Sequence, residues 1–180
     1  MTTAAVRFTY ADYLNLPEES RYEILDGDLL MSPSPTTVHQ GIVKKLTRIL
    51  GRILEDSGAG EVFVAPCDVI LSETDVVQPD VFFVSAERST IVKEKGVFGA
   101  PSLVIEVLSP ATAERDRTVK AKLYARAGVK ELWLVDPDSK TIEVLQLGAA
   151  GFERKALATA GETAQSTTLP ALRVRLADVF

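Results

Sequence analysis

Two carboxylates occur in apolar sequence that is typical of strands buried on both faces of a sheet. Glu106 lies inside the apolar run of residues 103–108, and Asp80 directly precedes the apolar residues 81–84. Removing an ionised carboxylate from water costs several kcal/mol unless another group compensates its charge. Both acids therefore require partners from other parts of the chain.

A divalent cation would satisfy both carboxylates at once, provided that their strands are neighbours in one sheet. Mg²⁺ prefers oxygen ligands, and one or two carboxylates, water molecules and a substrate phosphate complete its shell. The sequence therefore predicts a metal site at Asp80 and Glu106. Two alternatives remain open: Asp80 could end a loop by turn chemistry after Pro79, and Glu106 could form a structural ion pair with an arginine.

The helix that follows Glu106 offers a cation for the same site. Asp116, Lys120 and Tyr124 recur at four-residue spacing on one side of a helix predicted for residues 112–127. The packed face beside them is predicted to contain Val119, Leu123 and Ala127. Lys120 is expected to point back over the end of the sheet, where it could stabilise charge during phosphodiester cleavage. The open alternative is that Lys120 only pairs with Asp116 on a solvated helix face.

His39 is the single histidine, and it lies near the start of a long amphipathic helix predicted from residues 36–37 to Gly58. A helix N-terminus at this place could bind a phosphate group. His39 is therefore a candidate substrate contact, and a capping or packing role is the open alternative. A hydrolase triad of His39 with Ser109 is disfavoured, because no G-x-S-x-G turn surrounds that serine.

The composition excludes a nucleic-acid binder that works through total charge. The 180 residues contain 20 Lys+Arg and 25 Asp+Glu, which gives a formal net charge of -5. Any nucleic-acid site must therefore be local. The densest basic cluster lies on the predicted long helix, where a solvated face is the open alternative, and consists of Lys44, Lys45, Arg48 and Arg52.

Features that would place the chain in a membrane or an oxidising compartment are absent from the sequence. No stretch approaches the roughly 18 apolar residues of a membrane span. The single Cys67 cannot form an intramolecular disulfide, and its apolar surroundings predict a buried free thiol. We expect a soluble protein of the cytoplasm.

The order of the elements predicts an α/β fold in a single domain that spans residues 1–180. The predicted strand, helix, strand unit of residues 103–135 is a right-handed crossover, which makes its two strands parallel. A tight hairpin is predicted at Asp26–Gly27. The remaining predictions are a short helix capped by Thr9, a surface loop at Glu18–Glu19, a hairpin or meander at 61–85, a loop at 86–99, and a C-terminal hairpin and tail at 148–180.

Several of these segments together resemble a known family. The ordered set YEILDGDLLMSPSP, His39, QPDVFFV, PSLVIEVLSP, DRTVK and LYARAGVKELWLVDP resembles the Uma-two family, which is similar to restriction endonucleases of the PD-(D/E)XK type. The resemblance covers roughly residues 9–147. It implies a restriction-endonuclease-like fold, with a central mixed β-sheet flanked by helices and β-hairpins at the N- and C-terminal sides of a core at about 20–147.

The resemblance also implies roles for individual residues. Asp80 and Glu106 would hold Mg²⁺ or Mn²⁺ beside the carbonyl of Val107, with Glu23 as an additional acidic ligand. The motif places a lysine two residues after Glu106, where this chain has Leu108. The matching lysine is Lys120 of DRTVK, and Tyr124 beside it is a possible substrate contact.

These observations lead to two hypotheses of different classes. The first is a metal-dependent endonuclease that hydrolyses DNA phosphodiester bonds, with Asp80, Glu106 and Lys120 as catalytic residues. The second is a catalytically inactive module of the same fold that binds DNA or a protein partner. Related folds act as homodimers, so the resemblance also implies a possible homodimer. A protein scaffold in which Glu106 bridges to an arginine is a third reading.

Overall fold

Residues 6–17 and 21–180 are described by a computed structural model, so Glu18 and Glu19 lie outside the described residues. In chain order, the strands β1 to β14 are Tyr22–Leu25, Asp28–Met31, Gly60–Val64, Val69–Ser72, Asp75–Val77, Val81–Ser85, Val92–Lys93, Gly96–Phe98, Leu103–Val107, Glu131–Asp136, Thr141–Gly148, Gly151–Ala158, Thr163–Gln165 and Arg173–Arg175. The helices α1 to α4 are Tyr10–Tyr13, Thr37–Leu50, Ala113–Arg115 and Ala121–Ala127. Turns of π-helix cover Gly51–Glu55 and Asp116–Lys120, and turns of 3-10 helix cover Ala86–Ile91 and Leu176–Asp178.

The central sheet has the strand order β12-β11-β10-β9-β6-β3. Strands β9 and β10 are parallel, as the crossover predicts, and the other neighbours are antiparallel. Helix α2 packs Leu46 and Leu50 on one face with Phe83 and Trp133. The opposite face packs against α4, and its buried residues include Phe82, Leu123, Tyr124 and Leu132. The predicted mixed sheet flanked by helices is confirmed.

Local sequence signals account for the N-terminal elements. The side chain of Thr9 accepts a hydrogen bond from the backbone N–H of Asp12 and caps α1. Asp26 and Gly27 have φ values of 53° and 84°, which a two-residue turn between paired strands requires. The predicted hairpin of β1 and β2 is therefore confirmed.

A second sheet has the order β2-β1-β5-β4-β8-β7. Part of the hairpin or meander predicted at 61–85 is confirmed, because β4 and β5 form an antiparallel hairpin in this sheet. Strands β3 and β6 of the same range instead pair with each other in the central sheet. The predicted loop at 86–99 is wrong, because it contains a 3-10 turn and the strands β7 and β8. Strand β8 runs parallel to β4, a tertiary pairing that the local pattern of these charged residues does not encode.

The helical segment after β9 differs from its predicted packing. Val119 was expected on the packed face, but 39% of it is exposed, whereas Asp116, Lys120 and Tyr124 are buried. Val119 lies within the π-helical turn at 116–120, which has more residues per turn than an α-helix, so a wheel drawn at 100° per residue misplaces this side chain. Lys122 is exposed.

The large aromatic residues and the cysteine are buried to different extents. Trp133, Phe82 and Phe83 are fully buried in the core. Cys67 is a free thiol, but it is half-buried rather than buried. No helix within the described ranges is long and apolar enough to cross a membrane.

Candidate active site

The pairing of β6 with β9 brings the two strand acids together. Val81 pairs with Ile105 in antiparallel register, so one further step places Asp80 beside Glu106 at the edge where β6 begins. The Oδ2 atom of Asp80 accepts a hydrogen bond from the backbone N–H of Val107 at 2.8 Å. A shared metal site requires that the strands of Asp80 and Glu106 are neighbours in one sheet. This condition is confirmed.

Lys120 and Tyr124 both contact Glu106 from the helical segment. The Nζ atom of Lys120 lies 2.7 Å from Oε1 of Glu106, and the Tyr124 hydroxyl donates to the same oxygen at 2.5 Å. Lys120 also lies 3.8 Å from Oδ1 of Asp116. Lys120 therefore reaches back over the sheet from the next helix, and the partner of Glu106 is a lysine and a tyrosine rather than an arginine.

Glu23 approaches the same lysine from β1 of the second sheet. Its Oε1 atom lies 3.1 Å from Nζ of Lys120 and accepts the backbone N–H of Gln78 at 2.9 Å. Its Oε2 atom accepts the hydroxyl of Ser32 at 3.2 Å. Both oxygens of Glu23 thus have protein partners, and its role as a metal ligand stays a prediction.

His39 joins the site from the first turn of α2. Thr36 caps this helix through the backbone N–H of His39. The Nε2 atom of His39 lies 3.1 Å from Oδ2 of Asp80, and its buried Nδ1 atom has no hydrogen-bond partner among the described residues. Burial lowers the pKa of His39, but Asp80 and the backbone of Val107 outweigh it and raise that pKa above the ordinary value.

Burial and charge determine the ionisation of the inner cluster. Burial raises the pKa of Glu106 to about 8, although Lys120 opposes this shift. Burial lowers the pKa of Lys120, but Glu106 and Glu23 reverse the effect and hold it well above its usual range. Burial raises the pKa of Glu23, and Lys120 overcomes this to lower it. Lys120 therefore remains charged among these acids.

A cavity of about 260 Å³ opens beside the two strand acids. Asp80, Glu106 and Val107 line it, together with His39. Its walls come from the loop at 32–36, the turn at 109–112, and the side chains of Arg21, Gln78, Arg115, Asp116 and Lys120. The cavity places the catalytic candidates within reach of a bound molecule.

The donor atoms fit a hard divalent cation. Asp80 and Glu106 each use one carboxylate oxygen in the contacts above, and the other oxygens, Oδ1 and Oε2, have no protein partner among the described residues. Among the described residues, the buried side-chain nitrogen and oxygen atoms without a hydrogen-bond partner are His39 Nδ1 and Arg115 Nε. The free oxygens of Asp80 and Glu106 are not among them, so neither is completely buried. No group of three His, Cys, Asp or Glu side chains converges as a metal cage in residues 6–17 and 21–180. Two carboxylates with a carbonyl and water suit Mg²⁺, which keeps several waters.

Sequence reasoning missed three contributors to this site. Arg21 and Ser32 flank the hairpin that carries Glu23, and Gln78 holds Glu23 through its backbone. A signal existed for Arg21, because residues two apart on a strand share a face and Arg21 stands two before Glu23. The same spacing relates Gln78 to Asp80, whereas no local signal connects Ser32 to the site.

Comparisons with known proteins agree with this architecture. A family model described as "Uma2: Putative restriction endonuclease" matches residues 10–177. A crystal structure titled as a "putative nuclease" from Anabaena variabilis superimposes with a TM-score of 0.81 at 20% sequence identity, and the match covers 96% of this chain and 97% of that one. At this identity the likeness shows the fold. No curated protein matches the chain.

Proposed function

Because the chain belongs to the Uma2 family of restriction-endonuclease-like proteins, we propose that it is a metal-dependent endonuclease that hydrolyses DNA phosphodiester bonds. One observation carries the proposal. Asp80 and Glu106 lie at one edge of the central sheet, each with a carboxylate oxygen free to face the cavity, and Lys120 lies 2.7 Å from Glu106.

Asp80, Glu106 and the carbonyl of Val107 would hold Mg²⁺ or Mn²⁺ through their free oxygens. When bound, the cation supplies Lewis-acid polarisation of a phosphoryl oxygen and lowers the pKa of a water molecule. It would also favour the ionised form of Glu106, whose pKa burial raises. The coordination sphere would be completed by water and by the substrate phosphate.

Lys120 would position the attacking water or neutralise charge that develops on the phosphate. It would take the place of the lysine that the motif carries two residues after Glu106, where this chain has Leu108, a residue of the hydrophobic core. Glu23 would position Lys120 rather than bind the metal, since its Oε1 atom lies 3.1 Å from Nζ of that lysine. Tyr124 would fix the carboxylate of Glu106 through its hydrogen bond.

The inactive module remains a second candidate because of one observation. The side chain of Glu106 is only 3% exposed and already pairs with Lys120, so the cluster could be a self-contained ion network. In that case the cavity would bind DNA or a protein partner without hydrolysis.

A nicking assay tests the proposal. Wild-type protein and Asp80→Asn, purified in parallel, are incubated with supercoiled plasmid, linear duplex and single-stranded DNA in Mg²⁺, Mn²⁺ or chelator. The proposal expects metal-dependent cleavage that the variant loses while its circular dichroism spectrum is unchanged. Equal cleavage by both proteins would indicate a contaminating nuclease. Absence of cleavage on every substrate would favour the inactive module.

A further inference from the structure

We infer that the cavity accepts single-stranded or locally unpaired DNA rather than an intact duplex, and that Arg21 and Arg115 hold the phosphates of that strand. The inference deepens the proposed function and rests on it for the identity of the ligand as a nucleic acid. Its three supports are the depth of the site, the two arginines in its wall, and the location of the other basic residues.

The candidate metal ligands lie at the bottom of a recess. The side chains of Asp80, His39 and Glu106 are 17%, 12% and 3% exposed. The recess holds about 260 Å³ and is flanked by the loop at 32–36 and the turn at 109–112. A cavity of this size is much smaller than a base pair with its two backbones, so a duplex can offer only an outward-facing phosphate at its mouth. An unpaired nucleotide of a flexible single strand can enter the recess itself.

Arg21 and Arg115 give the cavity wall two guanidinium groups. Within the described residues neither arginine forms an ion pair with a carboxylate. The Nε atom of Arg115 is buried with no partner. The Nε atom of Arg21 donates to Oε1 of Gln78 at 3.1 Å, which orients the group. A planar guanidinium matches two phosphate oxygens, so each arginine suits one phosphate.

The other basic residues do not extend this wall into a duplex-binding surface. A protein that makes about 6–10 phosphate contacts to duplex DNA takes a large share of its affinity from them. Arg48 of the basic cluster of α2 does not line the cavity, because it is roughly 18 Å along the helix from Thr36, at about 1.5 Å per residue. Lys45 donates to the carbonyl of Val179 at 3.0 Å. Arg117, on the helical segment beside the cavity, pairs with Glu143. Few phosphate contacts are therefore available near the site.

Fluorescence anisotropy measures the preference directly. Wild-type protein in Ca²⁺, used so that the strand is not cut, is titrated with a labelled single-stranded oligonucleotide, with the duplex of the same sequence, and with an RNA strand of that sequence. We expect the single strand to bind at least about tenfold tighter than the duplex. With two phosphates neutralised, the slope of log K against log salt should be about -1.4. The difference in affinity between the DNA strand and the RNA strand shows whether the site distinguishes deoxyribose from ribose.

Variants locate the contacts. Arg21→Gln and Arg115→Gln should each weaken single-strand binding by about five- to twentyfold, and Arg115→Lys should lie between Arg115→Gln and wild type because it retains charge without the planar fork. Arg48→Gln removes the same charge on α2 and should leave binding unchanged. The melting temperature of each variant shows whether it is folded. If Arg115→Gln does not fold, the affinity of Arg21→Gln for the single strand decides the test.

The outcomes separate this inference from the proposed function. Binding of the single strand without cleavage in Mg²⁺ would support the inference and contradict the proposed nuclease activity. Equal binding and cleavage of intact duplex would retain the nuclease and overturn the inference. Binding that is lost in Arg48→Gln but kept in Arg115→Gln, or no binding of any nucleic acid, would also overturn it.

Discussion

Two buried glutamates in neighbouring parallel strands differ in how their oxygens are satisfied. Glu131 of β10 is fully buried, its Oε1 accepts the indole N–H of Trp133 at 2.6 Å, and its Oε2 accepts donors from Thr167 and Thr168. Glu106 of β9 uses only Oε1, for Lys120 and Tyr124, and its Oε2 has no partner in the described residues.

The difference shows that burial alone does not mark a functional carboxylate. Neutral donors saturate Glu131, and it does not line the candidate-site cavity, so its physical role is to fix the C-terminal tail to the central sheet. Glu106 retains an unsaturated oxygen beside a cavity, which is the property that a metal ligand needs.

Glu106→Gln should reduce metal-dependent DNA cleavage by about 100- to 1,000-fold, a loss typical of removing a group that stabilises the transition state. Glu131→Gln should leave the cleavage rate within about twofold when it is assayed well below its melting temperature. Single-turnover cleavage rates in Mg²⁺ compare the two. If both substitutions removed activity equally, the contrast between a functional and a structural carboxylate would be wrong.

Lys120→Met should lower the free energy of unfolding by about 3 kcal/mol, because it leaves three buried or nearly buried acids without their cation. Added Mg²⁺ should recover part of the loss, since a bound cation replaces the missing charge. Urea denaturation with and without Mg²⁺ measures both effects. Lys122→Met, which changes an exposed lysine on the same helical segment, is the matched control and should be nearly neutral.

Glu131→Gln should lower the free energy of unfolding by about 2 kcal/mol, because an amide cannot accept all of the hydrogen bonds from Trp133, Thr167 and Thr168. Glu106→Gln should change stability by less than about 1 kcal/mol, since Lys120 keeps Glu23 and Asp116 as partners. Thermal or urea unfolding of the two variants gives the difference. The reverse order of destabilisation would refute the assignment of the structural role to Glu131.

The pKa of His39 should lie above 6.5 in metal-free protein and fall in Asp80→Asn, because Asp80 favours the imidazolium form. A raised folded pKa means that this pair stabilises the protein below the unfolded pKa and that the stabilisation is lost as pH rises through the folded value. Since His39 is the single histidine, its ring protons can be followed by NMR without further assignment. Mg²⁺ should lower the value if the cation binds Asp80, and an unchanged titration would argue against that ligand.

Local sequence patterns predicted much of the fold. The turn at Asp26–Gly27, the amphipathic repeat of α2 and the crossover from β9 to β10 each follow from short-range rules, and the structure confirms them. They also led to Asp80 and Glu106, because a charged residue in an apolar strand stands out from its immediate neighbours. Glu131 did not stand out, since it begins its strand directly after Lys130 rather than inside an apolar run.

The element types, the parallel pair, the two acids whose burial requires compensation, and Lys120 as a candidate cation all follow from the sequence. The tertiary structure adds the other groups around them: Tyr124 donates to Glu106, His39 lies beside Asp80, and Glu23 contacts Lys120 from a different sheet. Such contacts depend on the packing of elements far apart in sequence, whereas propensity and periodicity report only on neighbours along the chain. The same packing leaves Oε2 of Glu106 without a partner among the described residues and saturates both oxygens of Glu131.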